Sequence, residues 1–87
     1  MQRKVLIVPF KEYIGIEEFM GKAHAARRRA FHDPLGTEED LKEYQRQWAL
    51  QVEFRKNFLR SKNIPLDTFV ETVKNRRDET FIFTWWE

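Results

Sequence analysis

Cysteine is absent from this chain of 87 residues, and glycine and proline occur only three times each. Without cysteine the chain can form neither a disulfide framework nor a cysteine-ligated zinc site, and it has no thiol nucleophile. A reducing compartment suits such a chain, so we expect the protein in the cytoplasm. The three glycines are scattered and form no phosphate-binding loop.

Other residues of catalytic chemistry are also scarce. Ser61 is the only serine, and it lies outside any nucleophile-elbow motif. His24 and His32 are eight residues apart, about two helical turns, so one straight helix cannot offer both to one metal ion. Adding Asp33 makes only a weak ligand set. We therefore expect no enzyme activity, no metal and no cofactor.

Long apolar runs are missing as well. The longest, Val5 to Pro9, falls far short of the roughly 20 residues that cross a bilayer. No basic segment leads into an apolar signal-peptide stretch, so we expect no membrane association. The net charge of +2 does not by itself predict a polyanionic partner.

The hydrophobic fraction of 41% and the aromatic fraction of 15% do predict a globular core. We expect one domain over residues 1–87 of the α+β class. Three helices accompany a two-stranded sheet formed by the N- and C-terminal strands, in the order β-α-α-α-β. The predicted elements are strand Arg3–Phe10, helix Ile16–Phe31, helix Glu38–Ser61, helix Pro65–Arg76 and strand Thr80–Trp86.

Periodicity and turn signals support these assignments. The first helix carries a stripe of mostly small residues, and Thr37 with Asp40 has the spacing of a capping box before the second. Apolar residues also recur at helical spacing in the segment after Pro65. They are Leu66, Phe69, Val70 and Val73, which we expect to face inward. Val5 to Val8 is apolar on both faces, which favours a strand that is covered on both sides or centrally paired.

The segment TFIFTWWE, residues 80–87, raises the question of partners. Phe81, Phe83 and Trp85 lie on one face of this strand, and Ile82 and Trp86 lie on the other. A two-stranded sheet is marginal alone. The second helix also has two apolar stripes: a main stripe of Leu41, Tyr44, Trp48, Val52 and Leu59, and a second stripe of Leu50, Phe54 and Phe58. We therefore expect a protein interface, and a homodimer, formed by Leu50, Phe54, Phe58, Trp85 and Trp86. The alternative is a monomer in which the second and third helices cover both faces of the sheet.

Basic residues form two clusters. In the run Arg27–Arg29, Arg27 lies beside the apolar stripe, so we expect it to be partly buried with a carboxylate partner and the other two to be exposed. The alternative is an anion contact made by Lys22, His24, Arg28 and Arg29.

The second cluster is Arg55, Lys56, Arg60 and Lys62. Arg55 interrupts the main apolar stripe of its helix, so it should find a carboxylate, a carbonyl or an interface. Residues 54–77 superficially resemble a helix-turn-helix. Leu59 is too large, however, for close helix crossing, and Asn63 replaces the turn glycine.

The sequence resembles no family closely enough to name one. In its small size and aromatic-rich composition the chain resembles viral and mobile-element accessory proteins. We expect a non-enzymatic regulatory or inhibitor-type protein that binds a protein partner and self-associates. The alternative is a nucleic-acid or phosphorylated-ligand binder that uses the two basic clusters. Salt separates the two, because binding to phosphates weakens steeply as salt rises.

Overall fold

A computed structural model describes all 87 residues as a mixed helix and strand fold. The elements in chain order are β1 Arg3–Pro9, α1 Phe10–Tyr13, α2 Ile16–His32, α3 Glu38–Ser61, β2 Glu71–Asn75 and β3 Thr80–Trp86. The three strands form an antiparallel sheet in the order β1-β3-β2. Residues 1–14 and 58–87 form one compact unit, called the sheet unit below. Residues 15–57 form another, called the helical unit. The expectation of a single domain stays a prediction.

The predicted third helix is wrong. Residues 65–76 contain strand β2, and the additional helix is the short α1. Of the residues expected to face inward, Val70 is buried, whereas Leu66, Phe69 and Val73 are exposed. Pairing of β2 with β3 outweighs the local helical spacing, because a strand gains its hydrogen bonds from a neighbour that lies elsewhere in sequence.

The helical unit contains α2 and most of α3 as an antiparallel pair. At one end the rings of Phe19 and Phe54 lie 5.9 Å apart. At the other end the Nε of Arg29 donates to Oδ1 of Asp40 at 3.2 Å. The small stripe predicted for α2 is buried at Ala23 and Ala26, which allows close packing.

Helix α3 is bounded as the sequence predicts. Asp40 and Thr37 form the capping box: Oδ2 of Asp40 accepts from the Thr37 backbone N–H at 3.1 Å, and Thr37 Oγ1 accepts from the Asp40 N–H at 3.4 Å. The helix ends in a Schellman motif, with the Ile64 N–H donating to the Leu59 carbonyl at 2.9 Å. Asn63 takes the left-handed conformation there, with φ 59°.

The buried face of α3 departs from the predicted main stripe at Trp48. Trp48 is exposed, and Gln47 and Gln51 are buried. The Nε2 of Gln47 donates to Oε1 of Glu43 at 2.8 Å, so part of this buried amide is satisfied. The periodicity of apolar residues cannot predict that two polar residues one helical turn apart are buried.

The sheet unit buries one face of the sheet. Phe81 and Phe83 of β3 point to this inner face, where the Tyr13 ring lies 5.1 and 4.9 Å from theirs. The ring of Phe58 stacks on Phe83 at 5.2 Å. The Lys62 ammonium lies 3.2 Å from a carboxylate oxygen of Glu12 in the same unit. The inner face is therefore a core of aromatic rings.

Strand β2 turns into β3 through residues 76–79. The side chain of Asn75 organises this turn, because its Nδ2 donates to Asp78 at 3.0 Å and its Oδ1 accepts from the Asp78 N–H at 3.1 Å. Glu79 completes the turn in the left-handed region, with φ 54°. No helix in the protein has both the length and the apolarity required to cross a membrane.

Candidate functional site

The outer face of the sheet is apolar and exposed. Cross-strand register places Ile7, Ile82 and Val73 in one row across all three strands. Val5 and Trp86 lie on the same face, because side chains alternate along each strand. The exposed fractions of Val5, Ile7, Val73 and Trp86 are 49%, 59%, 48% and 53%. This set of residues, with Ile82, is called the outer face below.

Polar residues flank the outer face on two strands, and Thr84 lies on the same face between Ile82 and Trp86. Arg3 lies opposite Trp86, and Glu71 lies opposite Thr84. An apolar centre with a polar rim is the arrangement found at protein–protein interfaces. Isolated exposed apolar residues are ordinary, but a contiguous group of them marks an interaction surface.

Strand β1 also has an unpaired edge. It pairs with β3 on one side and with no strand on the other. Gln2 and Glu87 exchange two backbone hydrogen bonds, at 2.7 and 2.9 Å. Because hydrogen-bonded and non-hydrogen-bonded pairs alternate in an antiparallel ladder, the backbone groups of Arg3, Val5 and Ile7 point to the unpaired edge. The expectation that β1 is centrally paired or covered on both sides is therefore wrong.

The five residues predicted as a protein interface divide between the two units. Leu50 and Phe54 belong to the helical unit, where Leu50 is exposed and the ring of Phe54 lies so close to Gly15 that an added Cβ there would be 3.2 Å from it. In the sheet unit, Phe58 packs on the inner face, Trp85 is buried and Trp86 is exposed. The accessible members are therefore Leu50 and Trp86.

A basic hollow lies on helix α2. It has a volume of about 250 Å³ and is lined by His24, Arg27, Arg28 and His32. These side chains share one helix face, since 24, 28 and 32 are successive i, i+4 positions. Arg27 and Arg28 are cationic, and each histidine ring can donate an N–H, so the hollow suits an anion.

Two of the predicted anion contacts lie elsewhere. Lys22 pairs with Glu18 at 3.0 Å, and Arg29 pairs with Asp40 at 3.2 Å. Arg28 and Arg29 are exposed, as predicted. Arg27 is exposed as well, so the prediction that it is partly buried is wrong. Helix α2 buries only a narrow stripe that includes Ala26, and the residue after Ala26 reaches solvent.

The second basic cluster is not one free surface. Arg55 is half-buried, and Lys56 and Arg60 are exposed. Arg55 and Arg60 each interact with another group. Since β2 is a strand, residues 54–77 are not a helix-turn-helix.

Two carboxyl groups of α3 are held in the ionised form. Hydrogen bonds from the Arg46 guanidinium and then from Gln47 lower the pKa of Glu43 to about 2. The Thr37 backbone N–H, and after it Arg29, lowers the pKa of Asp40. Both carboxylates stabilise the helix rather than exchange protons near neutral pH. Histidine, aspartate and glutamate side chains form no group of three that could hold a metal ion.

No family model, curated protein or solved structure matches this chain. Its function therefore has to be argued from its own surfaces. The outer face and the basic hollow are the two surfaces that combine a defined set of side chains with a ligand chemistry.

Sequence reasoning missed most of the outer face. The alternation along the last strand predicts Ile82 and Trp86 on this face, but the sequence patterns assign Val73 to a helix and Val5 and Ile7 to a covered strand. One signal was present: Thr72, Val73 and the turn residues Asn75 and Asp78 have the composition of a hairpin arm and its turn. His32 of the basic hollow was considered only as a metal ligand.

Proposed function

We propose that this protein is a small, non-enzymatic regulatory or inhibitor-type binding protein that acts through protein–protein contacts made by the outer face. The observation that carries the proposal is the row of Ile7, Ile82 and Val73, flanked by the exposed side chains of Val5 and Trp86. A partner that covers these side chains removes apolar surface from water, which stabilises the complex by about 25 cal/mol for each Å² buried.

Within the sheet unit, the aromatic rings that cover the sheet all lie on its inner face, so the exposed outer face is available to a partner. Tyr13 and Phe58 pack against Phe83 on the inner face. A sheet that is apolar on both faces is stabilised when a second layer covers its outer face as well. The proposal includes self-association as one form of this contact. The absence of cysteine is compatible with action in the cytoplasm.

The test is capture of protein partners from native lysate with nuclease present, using wild type and a Val73→Lys variant. Val73 is exposed on the outer face, so lysine there leaves the inner core intact and disrupts docking. Phe69→Lys is the matched control, because Phe69 is exposed and lies outside the strands. We expect loss of bound protein with Val73→Lys and retention with Phe69→Lys. Equal capture by both variants would contradict the proposal.

A second candidate function rests on the basic hollow. Its four lining residues are all basic, and Arg27 and Arg28 can donate bidentate hydrogen bonds to a phosphate group. If the protein binds a nucleic acid or a phosphorylated ligand there, Arg28→Glu abolishes retention on heparin or DNA at low salt. Lys22→Glu retains it, because Lys22 pairs with Glu18 instead of lining the hollow. Unchanged retention of the Arg28→Glu variant removes this candidate.

A further inference from the structure

We propose that β1 pairs in antiparallel orientation with β1 of a second copy, with a two-fold axis at Val5. This inference rests on the proposed function, since it names a second copy of the chain as one partner of the sheet. Its starting point is the unpaired edge of β1. Edge strands recruit other strands, because their unused backbone donors and acceptors can extend the sheet.

The unpaired edge offers three complete residues. Arg3, Val5 and Ile7 each present an N–H and a carbonyl to it, as the alternation from the Gln2–Glu87 pair requires. The next residue of this set is Pro9, which has no N–H to donate. The edge is therefore self-complementary over one short segment.

Only a two-fold axis at Val5 uses all of that segment. It pairs Val5 with Val5 of the second copy and Arg3 with Ile7, so each of the three residues both donates and accepts. An axis at Lys4 would place two ammonium groups directly opposite each other, which is destabilising. An axis at Leu6 would place Pro9 opposite Arg3 and leave a carbonyl without its donor.

The paired sheets form one sheet of six strands, in the order β2-β3-β1-β1-β3-β2. Pairing closes the exposed β1 edges, and it joins the two outer faces at Val5. The Lys4 side chain lies opposite Leu6 of the second copy in this register, so no like charges face each other.

Disulfide cross-linking tests this register, and the natural absence of cysteine makes any introduced thiol unique. In the proposed pair the two Val5 Cα atoms lie about 5.5 Å apart, within the range of roughly 4.4 to 6.8 Å that a disulfide spans. The two Arg3 Cα atoms lie four residues apart along the strand, roughly 14 Å, which is too far for a disulfide. Val5→Cys, Arg3→Cys, Ile7→Cys and Phe69→Cys are oxidised mildly, and the dimer is measured on a non-reducing gel.

We expect Val5→Cys to form the cross-linked dimer at least about tenfold faster than the exposed collision control Phe69→Cys, because pairing raises the local thiol concentration. Arg3→Cys and Ile7→Cys should each cross-link slowly alone and rapidly when mixed. A Val5→Cys rate equal to that of Phe69→Cys would overturn the inference. Rapid cross-linking of Arg3→Cys alone would also overturn it. Circular dichroism confirms that each variant is folded before oxidation.

The proposed function and this inference can fail separately. If Val5→Cys does not cross-link while Val73→Lys still abolishes partner capture, the sheet binds a different protein and only the inference fails. If Val5→Cys cross-links in register while Val73→Lys leaves capture unchanged, the dimer stands and the outer-face function fails.

Discussion

At the scale of single residues, Gly36 lies where a side chain has no room. A Cβ there would collide with the Arg29 carbonyl oxygen and would lie 3.0 Å from that of Asp33. The φ of Gly36 is not positive, so its backbone conformation does not require glycine. Glycine is needed at this position because the backbone at the end of α2 comes so close. Gly21 has the opposite setting, with no atom within 4 Å of an added Cβ.

We predict opposite effects of alanine at these two glycines. Gly36→Ala should lower the free energy of unfolding by about 1 to 3 kcal/mol, because backbone must move. Gly21→Ala should raise it by about 0.5 to 1 kcal/mol, because alanine is the better helix former. Urea unfolding of both variants measures these changes. Effects of the same sign would contradict the packing described for Gly36.

Trp85 is a second residue whose environment makes a prediction. It is buried, and its Nε1 has no hydrogen-bond partner. Trp85→Phe should therefore lower the free energy of unfolding by less than about 1.5 kcal/mol, since it keeps a smaller aromatic ring in place of the indole and removes an unsatisfied donor. Trp85→Ala should lower it by about 3 to 5 kcal/mol. If phenylalanine proves as damaging as alanine in thermal unfolding, the indole N–H is bonded.

At the scale of elements, α3 depends on ionised carboxylates. Two nitrogens of Arg46 donate to Glu43 at 2.8 and 2.9 Å. The pKa of Glu43 is about 2 in the folded protein, below its ordinary value of 4.5. A lowered folded pKa contributes stability above pH 4.5, and this contribution is lost as the pH falls through about 2.

We predict that Glu43→Gln is less stable than wild type at pH 7. The difference should shrink as the pH falls below 4.5 and vanish near pH 2. Chemical unfolding at a series of pH values measures it, and Glu53→Gln is the control, since Glu53 is exposed on the same helix. A difference that does not depend on pH would show that the Glu43 charge is not what stabilises α3.

The elements also show how far the sequence predicts the fold. The bounds of α3 follow from local chemistry, because Thr37 with Asp40 starts the helix and Asn63 ends it. Strand β3 follows from its short run of aromatic and β-branched residues, which favour a strand. Strand β2 could not be separated from a helix by periodicity, because Val70 and Val73 fit helical spacing and only pairing with β3 decides. Of the outer face, the sequence therefore predicts Ile82 and Trp86 of β3 but not the contribution of Val73, which depends on β2.

At the scale of the whole molecule, 87 residues without cysteine have a thin stability margin. Apolar burial against a partner adds to that margin. Binding at the outer face should be nearly insensitive to salt, because its central side chains carry no charge. Binding of an anion at the basic hollow should weaken steeply with salt. The salt dependence of binding therefore shows which of the two surfaces a partner uses.

The central claim is that the sheet binds protein around Ile7, which belongs both to the outer face and to the unpaired β1 edge, with a second copy of the chain as one partner. Its most direct measurement is the molar mass of wild type and Ile7→Lys by light scattering at rising concentration. Ile7 is the most exposed residue of the central row. The account predicts that wild type rises from 10.7 kDa towards twice that mass, while Ile7→Lys stays at 10.7 kDa. A wild type that stays at 10.7 kDa up to high micromolar concentration would contradict self-association. An Ile7→Lys variant that dimerises like wild type would place the contact on another surface.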